Sequence, residues 1–371
     1  MPEPLGVLHL IKGLGPGGAE QLLVQQARCR DQTRFDYQVA YLVPEKDHLV
    51  AALEAADVAV QCLDGPDWPI ALRNLAGLPS IDVVHAHSPV MASAVRVAAR
   101  TLPAARRPRL VTTEHNRWPR HHRLTRAANR LTLRWDDATL AVSDDVAATM
   151  PGRATVESLV HGIDVAAVRS QLDHRSPMRR ELGFAEHEIV VANVANLRRE
   201  KAHDVLLRAA ASAIAVDERL RFVIVGQGPL AAEIHRLHHE LGLGDRVRLL
   251  GYRTDATRVV AASDVFTLSS RHEGLPVALM EALALARPVV ATTAGGIPQA
   301  VTHDREALLV DVDDHRSLAE AYLALAGDAP RRARLGAAAD RRAEAFDVRR
   351  TIGRLESVYA AVVNGEPTSS R

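Results

Sequence analysis

The feature that most constrains this chain is an alternation of short apolar strands with helical segments that runs, stops and runs again. In the first half DYQVAYLV, VAVQCL, IDVVHAH, RLVTTEH and ATLAVS have strand length and β-branched character, and helical stretches lie between most of them. GVLHLI precedes them as a further strand. A polar stretch from Ser170 to Ala185 interrupts the pattern, and EIVVANVANL, LRFVIV, RVRLL, DVFTL and PVVAT then resume it. Strands joined through helices lie parallel in a doubly wound α/β sheet. Two such runs in 371 residues predict two Rossmann-like domains, 1–168 and 169–345, followed by a helix and frayed tail over 346–371.

Composition excludes several classes. With 47% apolar and 25% charged residues the chain reads as an ordinary globular protein, and a net charge of +1 gives no bulk case for nucleic acid. Cys29 and Cys62 are too few for a disulfide framework and lack metal-ligand spacing, which suits a reducing cytoplasm. MPEPLGVLHLIKGLG lacks the basic start and long apolar core of an ordinary signal peptide. No apolar run is long enough to cross a bilayer, so membrane contact is expected only as peripheral.

The densest chemistry lies between Ser263 and Val301, SDVFTLSSRHEGLPVALMEALALARPVVATTAGGIPQAV. It reads as strand, polar loop, helix, strand, Gly-rich loop and helix. Pro276 suits a helix start, and Gly295 with Gly296 permits a tight turn. Glu273 in the loop and Glu281 in the helix are separated by seven residues. Loop and helix start follow a strand's carboxyl end, where open α/β sheets bind ligands. The helix N-terminus suits a diphosphate, and a carboxylate suits paired sugar hydroxyls. A basic loop, Arg198, Arg199 and Lys201, follows the first strand of the second half and could neutralise a departing diphosphate. Near the N-terminus Gly13, Gly15 and Gly18 spell G-x-G-x-x-G between strand and helix. Pro16 inside that turn, and the lack of an acidic residue closing the second strand, argue against a dinucleotide site.

HEGLPVALMEALA resembles the E-x7-E region of the family 4 retaining glycosyltransferases of the GT-B fold. The resemblance spans almost the whole chain and is strongest from Ala192 to Ala300. It implies two Rossmann-like domains facing across a cleft, and transfer of a sugar from a nucleotide-diphosphate-sugar to a hydroxyl with retention of configuration, of hexosyltransferase type. GGAE resembles the family's first loop, HGID its NGID segment, and ANLRREKAHD its GRL-x-x-x-KG segment. Here Lys201 falls on the family Lys, Asn196 replaces the family Arg, and Ala202 replaces the family Gly. Arg198, two residues on, is the candidate second cation.

The resemblance therefore assigns Lys201 and Arg198 to the diphosphate and Glu281 to the ribose. Glu273, with the loop from His272 through Gly274, Leu275 and Pro276, falls to the sugar. His115 falls beside the sugar, although a strand-end histidine packed on a loop is the alternative. Gly17 and Gly18 face the diphosphate and acceptor. Asn196, Gly226, Gly251, Tyr252 and Arg253 complete the donor contacts. The acceptor is a saccharide, a lipid-linked group or a small molecule. No metal or other cofactor is expected: Asp311-Val-Asp313 spells D-x-D, but Asp313 or Asp314 reads as a helix cap, and His85, His87 and His115 lack a completing cluster. The last helix is expected to cross back to the first domain.

Residues 117–135, RWPRHHRLTRAANRLTLRW, are the most basic part of the chain. Arg123, Arg126, Arg130 and Arg134 follow helical spacing. Docking on anionic headgroups at the inner membrane face is one reading, gripping an acceptor phosphate another. A solvated helix face is the plainer one, because charge runs are usually solvation. Three other functions remain open: a catalytically silent nucleotide-sugar-binding module, a GT-B sugar-nucleotide epimerase and a NAD-linked oxidoreductase.

Overall fold

The computed structural model describes residues 3–15, 18–151, 156–159 and 162–368. Gly17 and His161 lie outside the described residues. The chain forms two compact units, Met1–Gly162 with Val348–Arg371, and Ile163–Asp347.

The first unit contains β1 (Leu5–Ile11), β2 (Phe35–Tyr41), β3 (Ala59–Cys62), β4 (Val83–Ala86), β5 (Arg109–Glu114), β6 (Ala138–Ala141) and β7 (Val156–Ser158). They form one parallel sheet in the order β3-β2-β1-β4-β5-β6-β7. β1 is buried from Gly6 to Ile11, as a strand covered on both faces must be. Gly6 is obligatory there, since a Cβ would fall 1.6 Å from the Ser80 carbonyl oxygen. The helix Val348–Asn364 belongs to this unit, and its Tyr359, Leu355 and Val358 join the core with Phe35, Tyr37 and Val39.

The second unit contains β8 (Ile189–Val194), β9 (Leu220–Val225), β10 (Val247–Leu249), β11 (Val265–Leu268), β12 (Val289–Thr292) and β13 (Ala307–Val310), parallel in the order β10-β9-β8-β11-β12-β13. In both sheets the strand order turns back once, beside β1/β4 and beside β8/β11. Adjacent loops leave in opposite directions there and open a crevice at the strands' carboxyl ends.

The expected break from Ser170 to Ala185 is not a linker. From Ser170 to Glu181 it is helical, and it is fastened to the second unit by Arg175 Nη2 on Asp264 Oδ1 (2.6 Å) and Arg179 Nη1 on Asp264 Oδ2 (3.1 Å). Met178, Leu182 and Phe184 are buried against Val190 and Val223. The division accordingly falls at Gly162/Ile163, where Ile163 bridges to Asp347, rather than at 168/169. Polarity misleads here because Arg175 and Arg179 reach carbonyls and the Asp264 carboxylate at the amino ends of β8 and β11. The sequence reading also passes over β7 and β13, strands too short to show a period.

Candidate functional site

The β8/β11 crevice gathers the second unit's charged residues. After β8 the chain makes a loop, a short 3-10 turn over Arg199–Lys201 and the helix His203–Val216. After β11 it runs through Ser269–Pro276 into the helix Val277–Ala284. The two loops are laced together. The amides of Arg271 and His272 donate to the Glu200 carbonyl (2.8 and 3.3 Å), and Ser269 Oγ donates to the carbonyls of Lys201 and Ala202 (both 3.0 Å). Arg271 Nη2 pairs with Asp204 (2.8 Å) and its Nε with Asp313 (2.6 Å). Asp313 is thus a partner of Arg271, while Asp314 caps the following helix.

This lacing brings Lys201 onto Glu273. Lys201 Nζ donates to both carboxylate oxygens, at 2.7 and 2.6 Å, and Ser270 Oγ donates to Glu273 Oε1 at 2.6 Å. Glu273 is 5% exposed, and these two donors satisfy its buried carboxyl oxygens. The lysine side chain is 21% exposed. Ala202 holds a left-handed conformation (φ 49°, ψ 46°), a backbone that glycine adopts without strain.

Glycines set the walls. A Cβ on Gly295 (φ 54°) would fall 1.9 Å from the Glu273 carbonyl oxygen, and one on Gly296 would fall 2.4 Å from that of Gly274. The Gly-rich loop after β12 therefore lies directly against the Glu273–Gly274 backbone. Gly226 and Gly228 meet the carbonyls of Ala195 and Leu197 in the same way, at 1.9 and 2.5 Å. The Gly226 amide donates to the Gly251 carbonyl (2.8 Å), so these two predicted residues are neighbours. Gly274 differs, because space around its missing Cβ is open. Beside it the helix Val277–Ala284 starts at Pro276 with no side-chain cap, leaving first-turn N–H groups for an anion.

Glu281 stands in the second turn of that helix, half-buried. Burial pushes its carboxyl up to about 7, and among the described residues it forms no ion pair. A carboxyl in that state is stabilised by any hydroxyl donor brought to it. Asn196, Arg198 and Tyr252 are exposed. Arg198 lines a cavity of about 520 Å³ with Arg199, His203, Glu233 and Arg271. His203 is buried, with its imidazole pushed down to about 4 by burial and by Lys201. Arg253 is tied to Asp255 (2.7 Å) and Glu181 (2.9 Å), which raise its pKa further.

The β1/β4 crevice of the first unit is built from imidazoles. His115 follows β5, and its ring nitrogen Nε2 lies 3.4 Å from His87 Nδ1. His87 Nε2 lies 3.0 Å from His9 Nδ1. His85 is held between Tyr359 OH (2.6 Å) and Thr113 Oγ1 (2.7 Å). Burial pushes His9 down to about 3, with Arg30 adding to the effect, and His115 down to about 4 against the pull of Glu114. His9, His85 and His87 have ligand atoms within 4.8 Å of one another, so they could hold a metal ion. The present ring-to-ring and ring-to-hydroxyl bonds already use nitrogens that an ion would need. His9 went unnoticed in the sequence; its signal is a lone polar residue inside GVLHLI. Gly18 opens the helix Gly18–Cys29.

Two Rossmann-like units with a charged crevice in the second define a GT-B glycosyltransferase architecture. The profile described as "Glycosyl transferases group 1" matches residues 174–342, and "Glycosyltransferase Family 4" matches 16–165. The chain belongs to the group 1 glycosyltransferases of the family 4 type. It is 34% identical over 234 residues to a D-inositol 3-phosphate glycosyltransferase of Corynebacterium aurimucosum, covering 61% of this chain and 53% of that protein. It is 25% identical to the N-acetyl-alpha-D-glucosaminyl L-malate synthase of Bacillus anthracis, over 81% of each chain. The chain thus spans about half the length of the first of these relatives. In fold it is similar to Anabaena HepE, solved in complex with UDP (TM-score 0.86, 23% identity, 96% of this chain and 100% of that one).

Proposed function

We propose that this protein transfers a sugar from a nucleotide-diphosphate-sugar to a hydroxyl acceptor with retention of anomeric configuration. The observation that carries the reading is the Lys201–Glu273 pair at the β8/β11 crevice, beside an uncapped helix start. The bond from the sugar's anomeric carbon to the diphosphate oxygen breaks, and a bond to the acceptor oxygen forms on the same face. The acceptor's proton passes to the departing phosphate oxygen, so no protein nucleophile is assigned. Lys201 and the first-turn N–H groups neutralise the diphosphate as charge develops, and exposed Arg198 supplies the second cation. Glu281 accepts from the ribose hydroxyls. Glu273 and the backbone of Gly274 and Leu275 orient the sugar over the open side of Gly274. The first unit takes the acceptor, with His115 as an uncharged donor or acceptor at a strand end.

UDP-glucose, the ligand of one HepE complex, is the first donor to try, within a panel of nucleotide-sugars. Labelled donor is incubated with the protein and a mixed acceptor pool, and the product's anomeric coupling is read by NMR. Transfer that survives Lys201→Ala and Glu281→Ala unchanged would sink the assignments. Asn196, at the family's Arg position, favours a second reading, a silent nucleotide-sugar-binding module. That module would raise its melting temperature with donor yet release no sugar.

A further inference from the structure

The helix Arg123–Thr132 is inside out. Its buried residues are polar, Asn129 and Thr132, while Leu124 is 75% exposed and Leu131 71%. The cause is a buried guanidinium. Arg96, 1% exposed, forms a bidentate pair with Asp136 (2.6 and 2.5 Å) and donates from Nη1 to Asn129 Oδ1 (2.5 Å) and Thr132 Oγ1 (3.3 Å). Asn129 Nδ2 in turn donates to the Pro89 carbonyl at 3.0 Å. This network fixes the helix's rotation and satisfies its inner face with hydrogen bonds. The leucines, seven residues apart with exposed Ala127 and Ala128 between them, are left as an outward apolar stripe.

Arginines flank the stripe. Between Glu114 and Asp136 the chain has no acidic residue, and Arg123, Arg126, Arg130 and Arg134 make no ion pair with a described residue. The apolar exposure continues on the adjoining helix Pro89–Arg100 with Val97 (53%) and Val90 (39%), and on Trp68–Ala76 with Ile70 (60%). Between those two helices lies a groove of about 510 Å³ with an almost wholly apolar lining.

We propose that this face docks on a bilayer carrying anionic lipids, with Leu124 and Leu131 entering the interface and the arginines on the headgroups. Leucines flanked by long basic side chains form the pattern of an interfacial helix, in which the stems follow the leucines and the charges stay at headgroup depth. Charge decides between occupants. A second copy of the helix Arg123–Thr132 would set its arginines against one another, with no acid between Glu114 and Asp136 to compensate. Nucleic acid would leave the leucines without a partner, and Trp118 is 8% exposed, so it offers no ring for stacking on bases.

The test is co-sedimentation of the full chain with vesicles, a readout that needs no sugar transfer. Phosphatidylcholine vesicles are compared with vesicles containing about 30 mol% phosphatidylglycerol, at about 0.05 and about 0.5 M salt. Binding is expected to the anionic vesicles only and to fall at high salt. Each of Arg123→Gln and Arg130→Gln should weaken partitioning about fivefold. Leu124→Ser with Leu131→Ser should weaken it tenfold or more, by the order of ~10. These side chains are exposed, so circular dichroism and melting temperature should not change. No binding to anionic vesicles at low salt overturns the proposal, as does equal binding to neutral ones. Unaltered binding by both sets of variants overturns the assignment to this face. A lipid-free dimer abolished by the serine variants would make the occupant a second copy and overturn it too.

Discussion

The two crevices share a topology and differ in how they treat charge. At β8/β11 an ammonium and a buried carboxylate are held in contact, with a hydroxyl and a helix start close by. At β1/β4 the polar groups are imidazoles, hydrogen-bonded to one another and, through His85, to Tyr359 and Thr113, and burial lowers the pKa of His9 and His115. The carboxyl ends of two central strands can therefore carry a charged clamp or an imidazole-lined hydrogen-bonding surface. What decides is whether the loops supply a counter-ion before burial drives the charge off.

The strongest way to break the contrast is to remove the counter-ion. Lys201→Ala takes away the cation on which the Glu273 carboxyl group, 5% exposed, rests. It should lower kcat by about 10²–10³ and unfolding free energy by roughly 3 kcal/mol, both measurable by labelled-donor turnover and urea titration. Lys201→Arg should recover more of the stability than of the activity.

A pair of glycines sharpens the geometry of the charged crevice. Gly295→Ala places a methyl 1.9 Å from the Glu273 carbonyl at positive φ, and should cost about 3 kcal/mol in a denaturant titration. Gly274→Ala, in open space, should change stability by less than about 0.5 kcal/mol while raising KM for the donor. Equal effects on stability would show that the wall is built differently.

Acid separates the units. His9 and His115 have folded pKa values lowered to about 3 and about 4. Their stabilising contribution is complete above the unfolded value near 6.5 and is lost as pH falls from there toward the folded values. In the second unit His203 acts in the same direction, but Glu281, raised to about 7, acts in the other: it costs stability as pH rises from about 4.5 to 7. Hydrogen exchange at pH 5 against pH 7.5 should therefore show the first unit losing protection before the second. Glu281→Gln should stabilise the protein at pH 8 by roughly 1–3 kcal/mol and leave it unchanged near pH 4.5, while weakening donor binding.

The smallest effect is expected at Ala202. Ala202→Gly relieves a left-handed backbone but removes a buried methyl, two terms of about 1 kcal/mol with opposite sign. A change in melting temperature of more than a few degrees would show that one term dominates.

Much of the second unit was legible. Lys201, Glu273 and Glu281 could be picked out because loop, helix start and strand end are coded within short windows, and a strand's carboxyl end fixes where its loop must emerge. The partners that hold them were not, since Ser270 on Glu273, Arg271 on Asp204 and Gly295 against Glu273 are side-chain and backbone approaches between separate loops. The polar stretch Ser170–Ala185 drew the domain boundary to itself in sequence, whereas in space Arg175 and Arg179 anchor it on Asp264 within the second unit.

The sequence by itself determined the two parallel sheets, the family and the charged loops, because hydrophobic period and local motif act over a few residues. Tertiary structure alone decided which charges survive. It put Glu273 under Lys201, drove protons from His9 and His115, and turned Leu124 and Leu131 outward by anchoring Asn129 on Arg96. Those outcomes depend on what surrounds each group at a few ångströms, and residues distant in sequence supply those surroundings.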